Sequence, residues 1–228
     1  KFNADGSGQE ISYEILVVDN GSDELETLDF LAELRADDSG RIRVLEYNKP
    51  FNFSAMNNLA AREARGEYLL QLNNDTAALG PEWLDEMMGY AHRPDVGAVG
   101  ARLIHPDGRL QHVGVYLGIA GEPAGHIIPK HKGSDPGYFG RAMSPQNLSA
   151  VTAACLLIRK DLYEAVGGMD EKDFAVSYND VDLCLKVRDK GKLVVYTPYA
   201  TLLHDESVSQ VGTVEGKTMA EKAARYGK

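Results

Sequence analysis

The sequence predicts an α/β layer fold with a largely parallel sheet, on three observations. Short apolar runs alternate with helix-period patterns from Glu14 to Leu103 in the order βαβαβαβ. Runs such as Glu14–Asp19 (EILVVD) are apolar almost throughout, as in a strand covered on both faces. Two runs end in polar turns, Asp19-Asn20 and Asn73-Asn74-Asp75, and open α/β sheets bind ligands beyond the carboxyl ends of their strands.

Glu14–Asp19 is the first predicted strand. The turn Asn20-Gly21-Ser22 and the acidic pair Asp23-Glu24 then start a helix to about Arg35, because carboxylates suit the positive end of a helix. Arg41–Glu46 is the second strand. Phe53–Arg65 is a helix with Met56, Leu59, Ala60 and Ala64 on one side and Gly66 as its stop. Tyr68–Leu72 is the third strand. Pro81 opens a helix whose buried stripe is Trp83, Leu84, Met87, Met88 and Ala91, and Val96–Leu103 returns to strand.

Beyond Ile104 the pattern is less regular. Leu110–Ile119 reads as an apolar strand containing glycine, and Glu122–Gln146 as a long loop rich in Gly, Pro, His and Lys. Leu148–Arg159 reads as a buried strand, Lys160–Val166 as a short helix stopped by Gly167-Gly168, Asp180–Lys190 as a helix and Lys192–Tyr196 as a strand. With no repeat or linker, residues 1–228 read as one domain, with a nucleotide-binding-like first half (residues 12–104) and a more irregular second half (residues 105–209).

Composition narrows the function. The 228 residues are 43% hydrophobic and 25% charged, an ordinary globular balance. Lys plus Arg number 24 against 34 Asp plus Glu, a net charge of −10 that argues against a nucleic-acid partner. Any phosphate must then be held locally, by a metal, a helix N-terminus or a few placed cations. Cys155 and Cys184 sit in apolar settings and read as buried thiols in a reducing compartment. No apolar run approaches the ~20 residues of a membrane span.

Further along, Asn179-Asp180-Val181-Asp182 stands at the start of a predicted helix and His204-Asp205-Glu206 follows a strand. Asp180 in the first helical turn is favoured in its ionised form, as a general base at neutral pH must be. Helix capping is the plainer reading of the same aspartates, and an Asx turn that of the strand ends. His204 could join carboxylate oxygens at a divalent metal.

Five segments occur in a familiar order: EILVVDNGSD, NLAAREARGEYLLQLNNDT, SAVTAACLLIRKDLYEAVGGMDE, YNDVDLCLKV and HDESVS. Together, from Ser12 to Ser209, the chain resembles the family 2 glycosyltransferases, most of all their bacterial rhamnosyltransferase and cell-surface polysaccharide branch. The resemblance implies a GT-A-type nucleotide-binding α/β/α sandwich and inverting transfer of a sugar from a UDP- or dTDP-linked donor to a saccharide or lipid-linked acceptor. It implies Mn²⁺ or Mg²⁺ as cofactor and a cytoplasmic location, with peripheral association at the inner membrane face left open.

By the same resemblance Asp180 is the catalytic base, and Asp75 and His204 hold the metal. Asp19, Asn20, Asn57, Asn58, Arg62, Asn73 and Asn74 bind the nucleotide. Gly168, Met169 and Asn179 border the acceptor. Three departures stand out. Asn73 replaces the first aspartate of the family's DXD motif and Asn179 replaces the glutamate of its ED motif. The family also opens with an apolar strand and helix where this chain has a polar stretch, so the expectation is a fragment lacking that unit. Two other readings stay open on the residues: a degenerate domain that binds nucleotide or carbohydrate without turnover, and a nucleotidyltransferase, which would need a glycine-rich basic phosphate loop.

Overall fold

The computed structural model describes residues 11–119 and 122–205. Its first strands, β1 (Ile15–Asp19) and β2 (Ile42–Glu46), pair in parallel, with α1 (Leu25–Arg35) between them. Then follow α2 (Phe53–Glu63), β3 (Tyr68–Leu72), β4 (Thr76–Ala78), α3 (Trp83–Ala91) and β5 (Val96–Ile104). The second half contains β6 (Leu110–His112), β7 (Val115–Ile119), β8 (Glu122–His126), a 3₁₀ turn (Tyr138–Met143) and β9 (Gln146–Asn147). It ends with β10 (Cys155–Arg159), α4 (Lys160–Ala165), α5 (Asn179–Asp189) and β11 (Leu193–His204).

The main sheet has the order β3-β10-β5-β11-β4, with β6 added on β5 and β9 on β11. It is mixed, which corrects the expectation of a mostly parallel sheet. Strand β10 is inserted antiparallel between β3 and β5, so those two and β11 run the same way although only β5 and β11 pair in parallel. Among the described residues β1 pairs with β2 alone and β3 with β10 alone.

Alternation along the central strands sends side chains into two cores. Ala98, Leu156, Ile158, Val194 and Tyr196 pack with Ala61 of α2, Tyr163 of α4 and Val181, Cys184 and Val187 of α5. Val99, Cys155, Leu157 and Val195 pack against Met87 and Ala91 of α3 on the other face. Double coverage explains why these strands read as unbroken apolar runs. Cys155 and Cys184 are free and buried, and burial pushes each thiol up to about 12.

Four other expectations change. Glu122–Gln146 is no continuous loop, since β8 forms a hairpin with β7 and a 3₁₀ turn follows. The strand predicted over Leu110–Ile119 breaks at Gly114, whose φ of +111° belongs to neither flanking strand. Of Leu148–Arg159 only Cys155–Arg159 is strand. The last strand runs past Tyr196 to His204, crossing Pro198 at a register shift where proline's missing N–H is tolerated.

Candidate functional site

Three consecutive residues in the turn before β10 tie the candidate site together. Thr152 N–H donates to His112 Nε2 (3.3 Å), Ala153 N–H donates to Asp180 Oδ2 (3.1 Å), and Ala154 C=O accepts from Asn73 N–H (3.0 Å). The turn lies this close to the sheet because Gly100 on β5 has no side chain: a Cβ there would stand 2.4 Å from Val151 Cβ.

On one side of the turn is the Asn73–Asp75 segment after β3. Asn73 C=O accepts from Thr76 Oγ1 (2.7 Å), closing a tight turn into β4. Strand β4 pairs antiparallel with the end of β11, placing His204 opposite Thr76. Asp75 C=O accepts from Asp205 N–H (2.9 Å). His204 Nε2 consequently lies 3.0 Å from Asp75 Oδ1 and 3.2 Å from Asn73 Nδ2. The Asp75 and His204 side chains are 11% and 8% exposed, so the pair is nearly dry. Asn74 is exposed at the tip.

On the other side is the start of α5. Tyr178 caps it in the left-handed region at φ +63°, turning the chain sharply into the helix. Asn179 is buried, and its Nδ2 donates to Val176 C=O (3.1 Å). Asp180 Oδ1 accepts from Val181 N–H (2.8 Å) while Oδ2 takes the Ala153 bond. Asp182, the neighbouring carboxylate, pairs with Lys186 at 2.8 Å, and Lys186 also donates to Gly168 C=O (3.1 Å).

The remaining predicted residues lie farther along the carboxyl rim. Asp19 ends β1 and accepts from the hydroxyl (2.7 Å) and N–H (3.0 Å) of Ser22, which hold its carboxyl below the usual carboxylate range. Asn20 Nδ2 donates to Tyr47 C=O (2.6 Å) and Lys49 C=O (2.8 Å), tying the ends of β1 and β2 together. Asn57 donates to Phe53 C=O one turn back in α2 (2.9 Å). Arg62 is exposed and reaches Glu171 at 3.9 Å. It shares an open groove with Tyr47, Asn48, Lys49 and Leu59.

Asn58 is occupied otherwise than the sequence reading expects. It is buried, its Oδ1 accepts from Tyr163 O–H (2.5 Å) and Met169 N–H (3.0 Å), and its Nδ2 donates to Met169 C=O (2.8 Å) and Glu171 Oε1 (2.9 Å). Its amide therefore holds the 163–171 turn against α2. Gly168 is part of that fit, since a Cβ there would stand 2.5 Å from Asn58 Oδ1. Met169 is buried beside it and meets Gln71 Nε2 at 3.8 Å through its sulfur.

Sequence reasoning missed Gln111, His112 and the 152–154 turn. His112 is fully buried and meets His126 ring to ring, Nδ1 to Nδ1 at 3.0 Å, and burial holds its imidazole well below the usual range. Gln111 Oε1 lies 2.7 Å from His204 Nδ1. The available signal was a Gln-His pair inside an apolar stretch. Glu206–Ser209, the end of the HDESVS segment, lie outside the described residues.

Asp75 and His204 stand as a pair: among the described residues no group of three or more His, Cys, Asp and Glu side chains is arranged around a metal position. No helix among them is long and apolar enough to cross a membrane.

The model of the family described as Glycosyl transferase family 2 matches residues 9–167, more than half of the chain. The chain belongs to glycosyltransferase family 2. Among relatives, it is 48% identical over 215 residues to "Uncharacterized protein y4gI" of Sinorhizobium fredii and 42% identical over 201 residues to "O-antigen biosynthesis protein RfbC" of Myxococcus xanthus. The matches cover 94% and 87% of this chain but 23% and 15% of those proteins, so the family 2 chain spans less than a quarter of the length of either. It is 29% identical over 144 residues, 60% of this chain and 46% of the relative, to an N-acetylglucosaminyl-diphospho-decaprenol L-rhamnosyltransferase of Mycobacterium tuberculosis. In fold it matches GalNAc-T7 solved with UDP, GalNAc and Mn²⁺ (TM-score 0.64, 13% identity, 93% of this chain and 41% of that one). It also matches a Pyrobaculum calidifontis mannosyltransferase solved with GDP-Man and Mn²⁺ (TM-score 0.60, 15% identity, 87% and 49%). The fold is that of the GT-A glycosyltransferases.

Proposed function

We propose that this chain transfers a sugar from a UDP- or dTDP-linked donor to a hydroxyl of a saccharide or lipid-linked acceptor, with inversion, in bacterial cell-surface polysaccharide synthesis. The observation that carries the reading is the convergence of Asn73, two residues before Asp75, and of Asp180 on one short turn. Asn73 and Asp180 bond its adjacent residues Ala154 and Ala153, so the candidate metal end and the candidate base are set by one backbone. The names of two relatives, an O-antigen biosynthesis protein and a rhamnosyltransferase, favour the same chemistry.

The donor set fits a divalent ion. A carboxylate oxygen and an imidazole nitrogen face each other at 3.0 Å in a nearly dry setting, a mixed pair that suits Mn²⁺ and admits Mg²⁺. Asp75 and His204 would hold it, with the donor diphosphate and water completing the shell. When bound, it would offset charge on the departing nucleoside diphosphate. Both solved neighbours were determined with Mn²⁺.

The protein's own groups do the rest. Asp180, anchored through Oδ2 to Ala153, takes the proton from the acceptor hydroxyl as that oxygen bonds the anomeric carbon. The bond from that carbon to the diphosphate breaks on the opposite face, which inverts the anomeric configuration. Asn73 and Asn74 hydrogen-bond donor hydroxyls, and an asparagine serves there as well as an aspartate because an amide both donates and accepts. Asp19, Asn20 and Arg62 contribute to binding the nucleotide. Gly168 and Met169 shape the acceptor border.

The test is a transfer assay on the full chain with UDP- and dTDP-sugars, followed by NMR of the product's anomeric proton. Inversion is expected. Retention would overturn the mechanism, and donor binding with no transfer to any glycan or lipid-linked acceptor would favour a binding module.

A further inference from the structure

Strand β6 buries Leu110, Gln111 and His112 in succession, the last two polar. Buried polar groups are costly unless they are hydrogen-bonded. The ladder with β5 pairs His112 with Leu103 and Leu110 with Ile104, so Gln111 is the extra residue of a bulge. Bulges re-aim a side chain. Here the side chain is aimed at His204, with Gln111 Oε1 2.7 Å from Nδ1. The strand is held from its outer side too: Leu110 N–H donates to His131 C=O and Lys130 N–H donates to Leu110 C=O, each at 2.7 Å.

We infer that Gln111 is a positioning residue that fixes the proton of His204 on Nδ1 and so turns the Nε2 lone pair toward Asp75. An amide oxygen can only accept, so a bond at 2.7 Å requires the hydrogen on His204 Nδ1. Nε2 has two neighbours: Asn73 Nδ2, which can only donate, at 3.2 Å, and Asp75 Oδ1, which can only accept, at 3.0 Å; a lone pair on Nε2 suits the first, and the second is the contact that a bound cation would bridge. The atom turned toward Asp75 Oδ1 is then the one able to coordinate a metal, and a partner on the other ring nitrogen is what orients such a ligand. The consequence for metal affinity rests on the reading of Asp75 and His204 as a metal pair; the tautomer does not.

Two measurements on the full chain separate these. The ¹⁵N shifts of His204 above its titration range, with no metal present, report the tautomer directly. An Nδ1–H form in the wild type that is lost in Gln111→Leu is expected, and an Nε2–H form in the wild type overturns the inference. Mn²⁺ titration by electron paramagnetic resonance, without donor, reads the consequence. Gln111→Leu is expected to weaken Mn²⁺ binding about 10–100-fold, the range for loss of an outer partner of a ligand. Gln111→Glu, which accepts the same Nδ1–H, is expected to bind as tightly as the wild type or more so.

Thermal stability should rank the other way, with the leucine tolerated in the core and the buried carboxylate penalised. Leu and Glu variants that lose Mn²⁺ binding in proportion to stability would show a packing role and overturn the inference, as would Gln111→Leu binding like the wild type. If Mn²⁺ binding is absent and Asp75→Ala changes nothing, the metal reading fails, while the tautomer result still decides the role of Gln111.

Discussion

Asp75 Oδ1 and His204 Nε2 lie 3.0 Å apart because their backbones are laddered together. His204 faces Thr76 in the antiparallel pairing of β4 with β11, and Asp205 N–H bonds Asp75 C=O one step farther on. The contact therefore does not depend on two long side chains finding each other. Metal-site designs need this kind of support, since a ligand set is only as accurate as the elements carrying it.

Removing the carboxylate tests this pair most directly. Calorimetry of UDP and dTDP should show binding in Mn²⁺ that is largely lost in EDTA, and Asp75→Ala should behave in Mn²⁺ as the wild type does in EDTA. Equal affinity in EDTA and Mn²⁺ would remove the metal role.

The extent to which this arrangement was legible depended on which groups make it. Tyr68–Leu72 and the Asn-Asn-Asp after it were readable because an apolar run ending in polar turn residues is a local pattern. So was Asp180 at the start of a helix, through its position in the first turn. The distance between Asn73 and His204, 131 residues apart in the chain, was not readable, because it is set by strand pairing. The predicted strand ends at Tyr196, whereas the observed one continues past Pro198 at a register shift and carries His204 to the site. The 152–154 turn was invisible for a different reason: its backbone N–H and C=O make the contacts, and every residue has those. Asn58 is the reverse case, a polar residue on the expected helix whose hydrogen bonds hold the 163–171 turn.

If Gly100 is what lets that turn approach the sheet, a single methyl should displace it. Gly100→Ala is expected to cost about 1–3 kcal/mol, as overpacking does, and to lower kcat with little change in donor KM. Gly89→Ala is the control. That glycine lies inside α3 with open space at its Cβ position, and alanine there should raise stability by roughly 0.4–1 kcal/mol. Thermal unfolding and steady-state kinetics on both variants check the pair, and equal, small effects would deny the turn its role.

Lys130 and Lys132 lie in the second half of the chain, where the family resemblance puts the acceptor, and provide a test of that side. Their backbones clamp β6, through Lys130 N–H on Leu110 C=O and a bridge between Lys132 and Arg109, while their side chains are exposed in a protein of net charge −10. Replacing both with alanine is expected to raise the acceptor KM more than the donor KM. Competition assays varying each substrate in turn read the difference, and an unchanged acceptor KM would leave these lysines as solvated charge.

Asp180 and Asp182 are two carboxylates in the first turn of one helix, and the structure gives them different partners. Residues two apart on a helix point about 200° away from each other, so only one can face an acceptor bound at the 152–154 turn. Asp180 Oδ2 is bonded to Ala153 in that turn, whereas Asp182 is held by Lys186, which also anchors Gly168. Asp180→Asn keeps the size of the side chain but removes the base, and loss of a general base typically costs ~10²–10⁴ in rate. kcat should fall by that order with nucleotide and Mn²⁺ affinity nearly unchanged, as expected of a base that acts on the acceptor. Asp182→Asn should leave kcat within severalfold of the wild type and show its effect in stability, through the partly buried Lys186. Reversed effects would make Asp182 the base. If both variants turned over like the wild type, the inverting mechanism would have no base on α5, and binding without transfer would become the better account of the site.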